Sequence, residues 1–438
     1  MPRLLALCLV LGLSLLATLA LPPSLHPQAT DVYINILASG AKKLNIAIPE
    51  FARPQGQDPQ GFLRRLPEII GSDLTFSGLF SVVSAPTPLP TAPDLLKKAL
   101  ADFQAAGAHA ALQGSLTTQG EKVVAEVRLL DLTSAEPRLI VAKTYDARAR
   151  DHRRMAHRIA DEVVYQFTGE RGVADTKIAY VSTISGTKEL YMMDYDGHNV
   201  VRLTTNSSIN LTPAWRPDGQ ALAFTSYQRE YPYLFLLFPF EGRQELLQGW
   251  PGLNTAPAWA PDGQSLAYTL SKDGNPEIYV LRTKTGEIRR LTNHRTIDTD
   301  PTWSPTGREI AFTSDRGGTP QVYIMDAEGA NVRRLTFEGG YNVQPRWSPR
   351  GDQIAYTSRQ GNFDLWVINV DGSNLRRLTS GSDNESASWA PNGRHLVFAS
   401  RRAGRWQLFT VQADGNEAHQ LTRDRGEVTS PAWSPRIP

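Results

Sequence analysis

Apolar and polar positions recur on a fixed beat through the second half of the chain. The run PAWRPDGQALAFTS (213–226) returns as PAWAPDGQSLAYTL (257–270), PTWSPTGREIAFTS (301–314), PRWSPRGDQIAYTS (345–358) and ASWAPNGRHLVFAS (387–400). It breaks off as PAWSP at 431–435. The tryptophans Trp215, Trp259, Trp303, Trp347, Trp389 and Trp433 lie 44, 44, 44, 42 and 44 residues apart. A period of this length marks an array of one supersecondary unit. Each unit holds four short apolar stretches. The first ends at the tryptophan, and a tight turn such as Pro217-Asp218-Gly219 leads to LAFTS, IAYTS or a variant. A third stretch follows (EIYV, QVYIMD, DLWVINV, QLFTV), and the last is Arg-Leu-Thr or a close relative, as at Arg290-Leu291-Thr292. Four short strands with turn signals between them predict a four-stranded antiparallel sheet, the size of one propeller blade.

The two ends of the array complement each other. The last copy stops after its first strand, and the first copy begins with the second-strand phrase Lys177-Ile178-Ala179-Tyr180-Val181-Ser182. The C-terminal strand is therefore expected to complete blade one and close a six-bladed β-propeller, removing the exposed edges of an open stack. The tryptophans are expected to pack between neighbouring blades.

Residues 30–170 lack the repeat and read as a small α/β domain. Asp31–Leu37 and Leu44–Phe51 read as strands, Pro67–Phe80 as a short helix with a turn at Gly78, and Asp94–Ala106 as a helix with Leu95, Leu96, Leu100 and Phe103 on its apolar stripe. Val123–Leu132 and Arg138–Tyr145 read as paired strands. A last helix, capped by Asp151, carries Met155, Ile159, Val163 and Phe167 inward and Arg154, Arg158 and Asp161 outward. Gly169–Asp175 links this domain to the ring at 171–438.

Ahead of both, Arg3 and the apolar stretch Leu4–Leu19 form a secretory signal within residues 1–29, with cleavage after Ala20 or Ala29. The single cysteine, Cys8, lies inside it, so the mature chain is expected to carry no disulfide. A net charge of +2 over 438 residues suggests neither nucleic acid nor an anionic membrane as partner.

Candidate chemistry is sparse. The eight histidines fall at no metal-ligand spacing, and no nucleophile elbow or phosphate-binding glycine pattern occurs. Asp194-Tyr195-Asp196-Gly197 and Asp371-Gly372 read as hairpins in preference to calcium loops, and Arg289-Arg290, Arg333-Arg334 and Arg376-Arg377 as a charged, solvated outer edge. No enzyme, metal or cofactor is expected. The connections from one blade's fourth strand to the next blade's first converge on one face. They are varied, polar and sparsely aromatic, which suits a protein-docking face. Its candidate contacts are Asn210, Leu253, Asn254, Thr255, Ala256, Asp298, Thr299, Tyr341, Asn342 and Glu385. A second candidate site is the extended N-terminal segment Asp31, Val32, Tyr33, Ile34, Asn35 and Ile36, able to add to a partner's sheet edge or to sit in its own domain. The rival readings are a propeller enzyme, a polysaccharide lyase or peptidase using Asp298, Asp300, Glu385 and Glu427, and a channel that binds a small molecule or ion.

Three features together, the junction FTGERGVADTKIAYVS (Phe167–Ser182), Ser77-Gly78-Leu79-Phe80 and the P-x-W, I-A-F-x-S and R-L-T phrases, make the mature chain resemble the TolB family. These are soluble periplasmic components of the Tol-Pal system of Gram-negative bacteria. The resemblance implies a periplasmic adaptor with no direct membrane insertion. It implies binding of the peptidoglycan-associated lipoprotein Pal at the propeller face, including Leu253, Asn254, Ala256 and Thr299, and of TolA through Asp31–Ser39, with further envelope proteins as added partners. It implies a role in outer-membrane invagination at division and in membrane integrity.

Overall fold

The computed structural model describes residues 42–437 apart from 54–57, 59, 84 and 86. The signal segment and the extended segment at Asp31–Ile36 lie outside the described residues. The N-terminal domain runs β1 (Leu44–Ala47), α1 (Phe62–Phe76), β2 (Phe80–Val83), α2 (Pro93–Ala105), β3 (Ala110–Gln119), β4 (Lys122–Asp131), β5 (Arg138–Arg148) and α3 (His152–Thr168). The sheet order is β2-β1-β3-β4-β5, with β1 parallel to both neighbours and the rest antiparallel. α1 and α3 cover one face through Leu66, Ile70, Leu74, Met155, Ile159, Val163 and Phe167, and Leu100 of α2 covers the other with Ala47 and Ala111.

Several helix expectations shift. α1 begins five residues before Pro67, because Asp58 accepts the Phe62 and Leu63 N–H groups at 2.8 and 2.9 Å and caps it. Pro67 removes the donor for the Leu63 carbonyl, which instead accepts Phe51 N–H at 2.9 Å. Leu95 of α2 is exposed, so the apolar stripe there is narrower than its spacing suggests. Asp151 stands at the start of α3 without a side-chain capping bond. Asp161 is half-buried and hydrogen-bonded instead of free on the wet side. Its carboxylate takes the Ala174 and Asp175 N–H groups at 2.8 and 3.1 Å and pins the linker, and burial pushes its pKa up to about 6.

The remaining strands form six four-stranded sheets, each ordered from inner to outer strand. Val428–Trp433 pairs antiparallel with Lys177–Ser182, Val428 opposite Ser182 and Trp433 opposite Ile178, so the C-terminal strand completes blade 1 and closes the ring. The other inner strands are Asn210–Trp215, Asn254–Trp259, Asp298–Trp303, Asn342–Trp347 and Asn384–Trp389 (blades 2 to 6). Apolar clusters lie between blades, one at each of the six interfaces, as where Met192 of blade 1 meets Phe224 of blade 2 and Leu408 of blade 6 meets Tyr191 of blade 1. Four tryptophans donate their indole N–H to the carbonyl just before the preceding blade's tryptophan: Trp215 to Ala432, Trp259 to Ala214, Trp303 to Ala258 and Trp389 to Arg346, at 2.9–3.2 Å.

The arginine pairs lie on the outer edge, with Arg289, Arg333 and Arg377 exposed, and they also tie it down. The second arginine reaches inward, Arg290 to buried Glu277 at 2.9 Å and Arg377 to buried Asp364 at 2.5 Å. The first spans to the next blade, Arg289 to Ala327 O and Arg376 to Ala413 O, each at 2.9 Å. Thr292 and Thr379 of the Arg-Leu-Thr phrases bond the same carboxylates, tying the short outer strand to the third.

Candidate functional site

Antiparallel blades put two sets of connections on one face: those from fourth to first strand and those from second to third. Hydrogen bonds join the two sets, as in Tyr227 N to Ile209 O (2.9 Å), Asp315 N to Ile297 O (3.3 Å) and Arg359 N to Tyr341 O (3.0 Å). The N-terminal domain docks on the opposite face. There Glu170 accepts Arg350 and Arg394 at 3.0 Å each, Lys43 meets Glu417 at 2.6 Å, and Phe76 stacks on His395 with ring centroids 4.5 Å apart. The first face is therefore left uncovered by this chain's own described residues.

The inner strands begin earlier than the tryptophan phrase suggests, because each carries a bulge and continues through it. The third residue of every inner strand, Thr212, Ala256, Asp300, Gln344, Ser386 and Ser430, is non-glycine with φ between 48° and 57°. This corrects the placement of most sequence-derived contacts. Asn210, Asn254, Asp298 and Asn342 open inner strands and are 0% exposed. Their side chains bind the ring together: Asn210 donates to Glu189 at 3.0 Å, Asn342 to Gln321 at 2.7 Å, Asn254 to Trp250 O at 2.7 Å, and Asp298 accepts Arg316 at 2.8 Å. Ala256 is buried at the bulge. Thr255, Thr299 and Glu385 are half-buried on the inner strands, and Leu253 is half-buried in its connection. Tyr341 is exposed, with its ring edge-on to Phe363.

The polar face expected from the loops is more apolar than that. Ile184, Ile209, Tyr227, Trp250, Ile297 and Phe337 are all exposed in these connections, Phe337 at 73%. The signal was present in sequence as one large apolar residue in successive loops, but its exposure was not. Exposed apolar side chains on the face that the N-terminal domain leaves uncovered make it the candidate interaction surface.

Among the described residues the carboxylates of the enzyme reading join no cluster of three ligand-type side chains. Asp298 is paired with Arg316, Glu427 accepts Trp406 N–H at 2.6 Å, and Asp300 accepts Thr299 Oγ1 at 3.0 Å. Burial and then the nearby Asp383 charge raise the Glu385 carboxyl.

Among the described residues, one cluster of three ligand-type titratable side chains lies between the domains. Asp73, His157 and Asp196 bring ligand atoms within 4.8 Å of one another. Their oxygens are already engaged. Asp73 accepts His157 Nδ1 at 2.8 Å and Tyr195 Oη at 2.5 Å, and Asp196 pairs with Arg153, whose guanidinium supplies the cation there. This donor set suits an ion-pair network better than a metal. Beside it a cleft of about 1000 Å³ opens between the domains, walled by Ile48, Pro67, Val82, Tyr195, Asp196 and His419.

The profile of the TolB beta propeller domain matches residues 164–437, and that of the TolB amino-terminal domain matches residues 32–137. The Tol-Pal system protein TolB of Geobacter sulfurreducens is 49% identical over 97% of this chain and 98% of its own length. That of Methylobacillus flagellatus is 49% identical over 92% and 93%. The crystal structure of TolB from Acinetobacter baumannii superposes with a TM-score of 0.79 at 30% identity, covering 90% of this chain and 97% of that one.

Proposed function

The chain belongs to the TolB family of the Tol-Pal system, and from that premise we propose that it is a non-enzymatic periplasmic adaptor. The propeller face away from the N-terminal domain docks the peptidoglycan-associated lipoprotein Pal. The segment Asp31–Ile36 engages TolA as an added strand. Held between these partners, the adaptor supports inward movement of the outer membrane at division and its integrity. The observation that carries this reading is the set of exposed apolar residues Ile209, Trp250, Ile297 and Phe337 in the connections of the uncovered face. Leu253, Thr255, Thr299, Tyr341 and Glu385 complete the contact set, while buried Asn210, Asn254, Asp298, Ala256 and Asn342 shape it from beneath.

Titration calorimetry of the mature chain with the soluble domain of Pal tests the face. Phe337→Asp combined with Trp250→Ala removes two exposed apolar side chains of this face and is expected to weaken binding at least about a hundredfold, roughly 3 kcal/mol, with the melting temperature unchanged. Unaltered affinity would refute the assignment of this face. Deleting residues 31–36 is expected to abolish TolA capture and leave Pal binding intact.

A further inference from the structure

We propose that His157 is a proton-operated latch between the two domains: with both ring nitrogens protonated it ties Asp73 of α1 to Asp196 of the first blade, and loss of one proton removes that tie and leaves the propeller side to Arg153 and Tyr195. The ring is 2% exposed. Nδ1 lies 2.8 Å from Asp73 Oδ2, and Nε2 faces Asp196 Oδ2 at 3.7 Å with no hydrogen-bond partner of its own. Asp196 sits in the hairpin between the third and fourth strands of blade 1, so the imidazole spans the domain boundary. In the neutral form that keeps the proton on Nδ1, a lone pair points at the half-buried Asp196 carboxylate. In the imidazolium form an N–H points there instead.

The surrounding charges favour the proton. From α1 comes Asp73, which also accepts Tyr195 Oη, and Arg65, which faces His152. From the hairpin come Asp196 and His198, 3.2 Å from each other, and Asp194, which pairs with Lys177. From α3 itself come Arg153, bonded to Asp196, Asp161, held by the linker amides, and His152. Burial alone would lower the His157 pKa. The hydrogen bond and charge of Asp73, with Asp196 and Asp194 behind it, outweigh burial and raise it. A histidine raised in the folded state lends stability that is complete below its unfolded value, near 6.5, and is lost as pH climbs through the folded value. The latch is thus closed below the ordinary histidine value and opens as pH climbs through the raised one. Tyr195 and Asp196 also wall the interdomain cleft, so the proton sets how firmly that wall is held.

The test uses the full mature chain. Histidine nitrogen NMR across pH is expected to show His157 still doubly protonated where free histidine has lost its proton. Hydrogen exchange of the 194–199 hairpin, corrected for the base-catalysed intrinsic rate, is expected to speed up as pH rises through the His157 titration seen by NMR, by up to about tenfold for each pKa unit by which that titration lies above the free value. His157→Gln should abolish that step. Asp196→Asn, which leaves the Asp73 pair in place, should shrink it and lower the titration point, so the idea stays testable if H157Q fails to fold. A ring that titrates at or below the ordinary value, or an equal step in H157Q or D196N, overturns the latch.

Discussion

Trp259 packs between blades 2 and 3, 9% exposed, and its indole N–H reaches Ala214 O at 3.2 Å. The two contributions separate by substitution. Trp259→Phe keeps the apolar ring and loses the bond, at an expected cost of about 1 kcal/mol, whereas Trp259→Ala also empties the interface and is expected to cost roughly 3–5 kcal/mol. Urea unfolding of the two variants measures both. His395 gives a pH signature of opposite sign to that of His157. Its Nε2 lies 2.9 Å from Phe76 O, its Nδ1 is buried and unpartnered, and burial lowers its pKa from 6.5 to about 4. The unfolded chain therefore binds the extra proton between those values, and stability present above about pH 6.5 is lost as pH falls toward about 4, by at most about 3 kcal/mol. His395→Gln is expected to flatten the acid limb of a melting-temperature profile between those values.

At the scale of elements, the repeated strands were legible because each blade repeats one apolar beat. β3 was not, since AALQGSLTTQ has little β-branched character and a glycine inside. That glycine matters: a Cβ at Gly114 would lie 2.4 Å from the ring of Phe51, so the residue that weakens the strand signal is the one that lets Phe51 pack. The start of α1 was hidden by Pro67, which normally signals a helix start but here hands the Leu63 carbonyl to Phe51. The inner strands were read too short because bulges with non-glycine residues at positive φ leave no composition mark. The closing strand is the decisive element. Removing 428–438 strips blade 1 of its inner strand and Trp433. The expected loss exceeds about 5 kcal/mol, enough to abolish a cooperative melt by circular dichroism. A truncated chain that melted like the whole one would contradict ring closure.

Across the whole molecule, an aromatic seam and the ion pairs of Glu170 join the two domains beside the Asp73, His157 and Asp196 cluster. Phe76 from the end of α1 lies against Tyr195, His395 and Trp433, with centroids 5.0, 4.5 and 6.5 Å away. Gly78, just beyond, lets the chain approach Gln412 so closely that a Cβ would fall 2.5 Å from Nε2. Glu170, by contrast, meets Arg350 and Arg394 where all three are partly exposed. Phe76→Ala is therefore expected to cost about 2–3 kcal/mol and to split calorimetric unfolding into two transitions, while Glu170→Gln shifts it by less than about 1 kcal/mol.

The beat of tryptophans and turn dipeptides determined the blade, its number and its closure, because those depend on local strand propensity and on a count of repeats. The junction phrase and the mixed first domain pointed to the family for the same reason: they are contiguous in the chain. What a side chain faces is not contiguous. Only the folded ring decided that Asn210, Asn254, Asp298 and Asn342 turn inward, that Ile209, Trp250 and Phe337 stand in solvent, and that Asp73, His157 and Asp196, far apart along the chain, share one buried pocket between two domains.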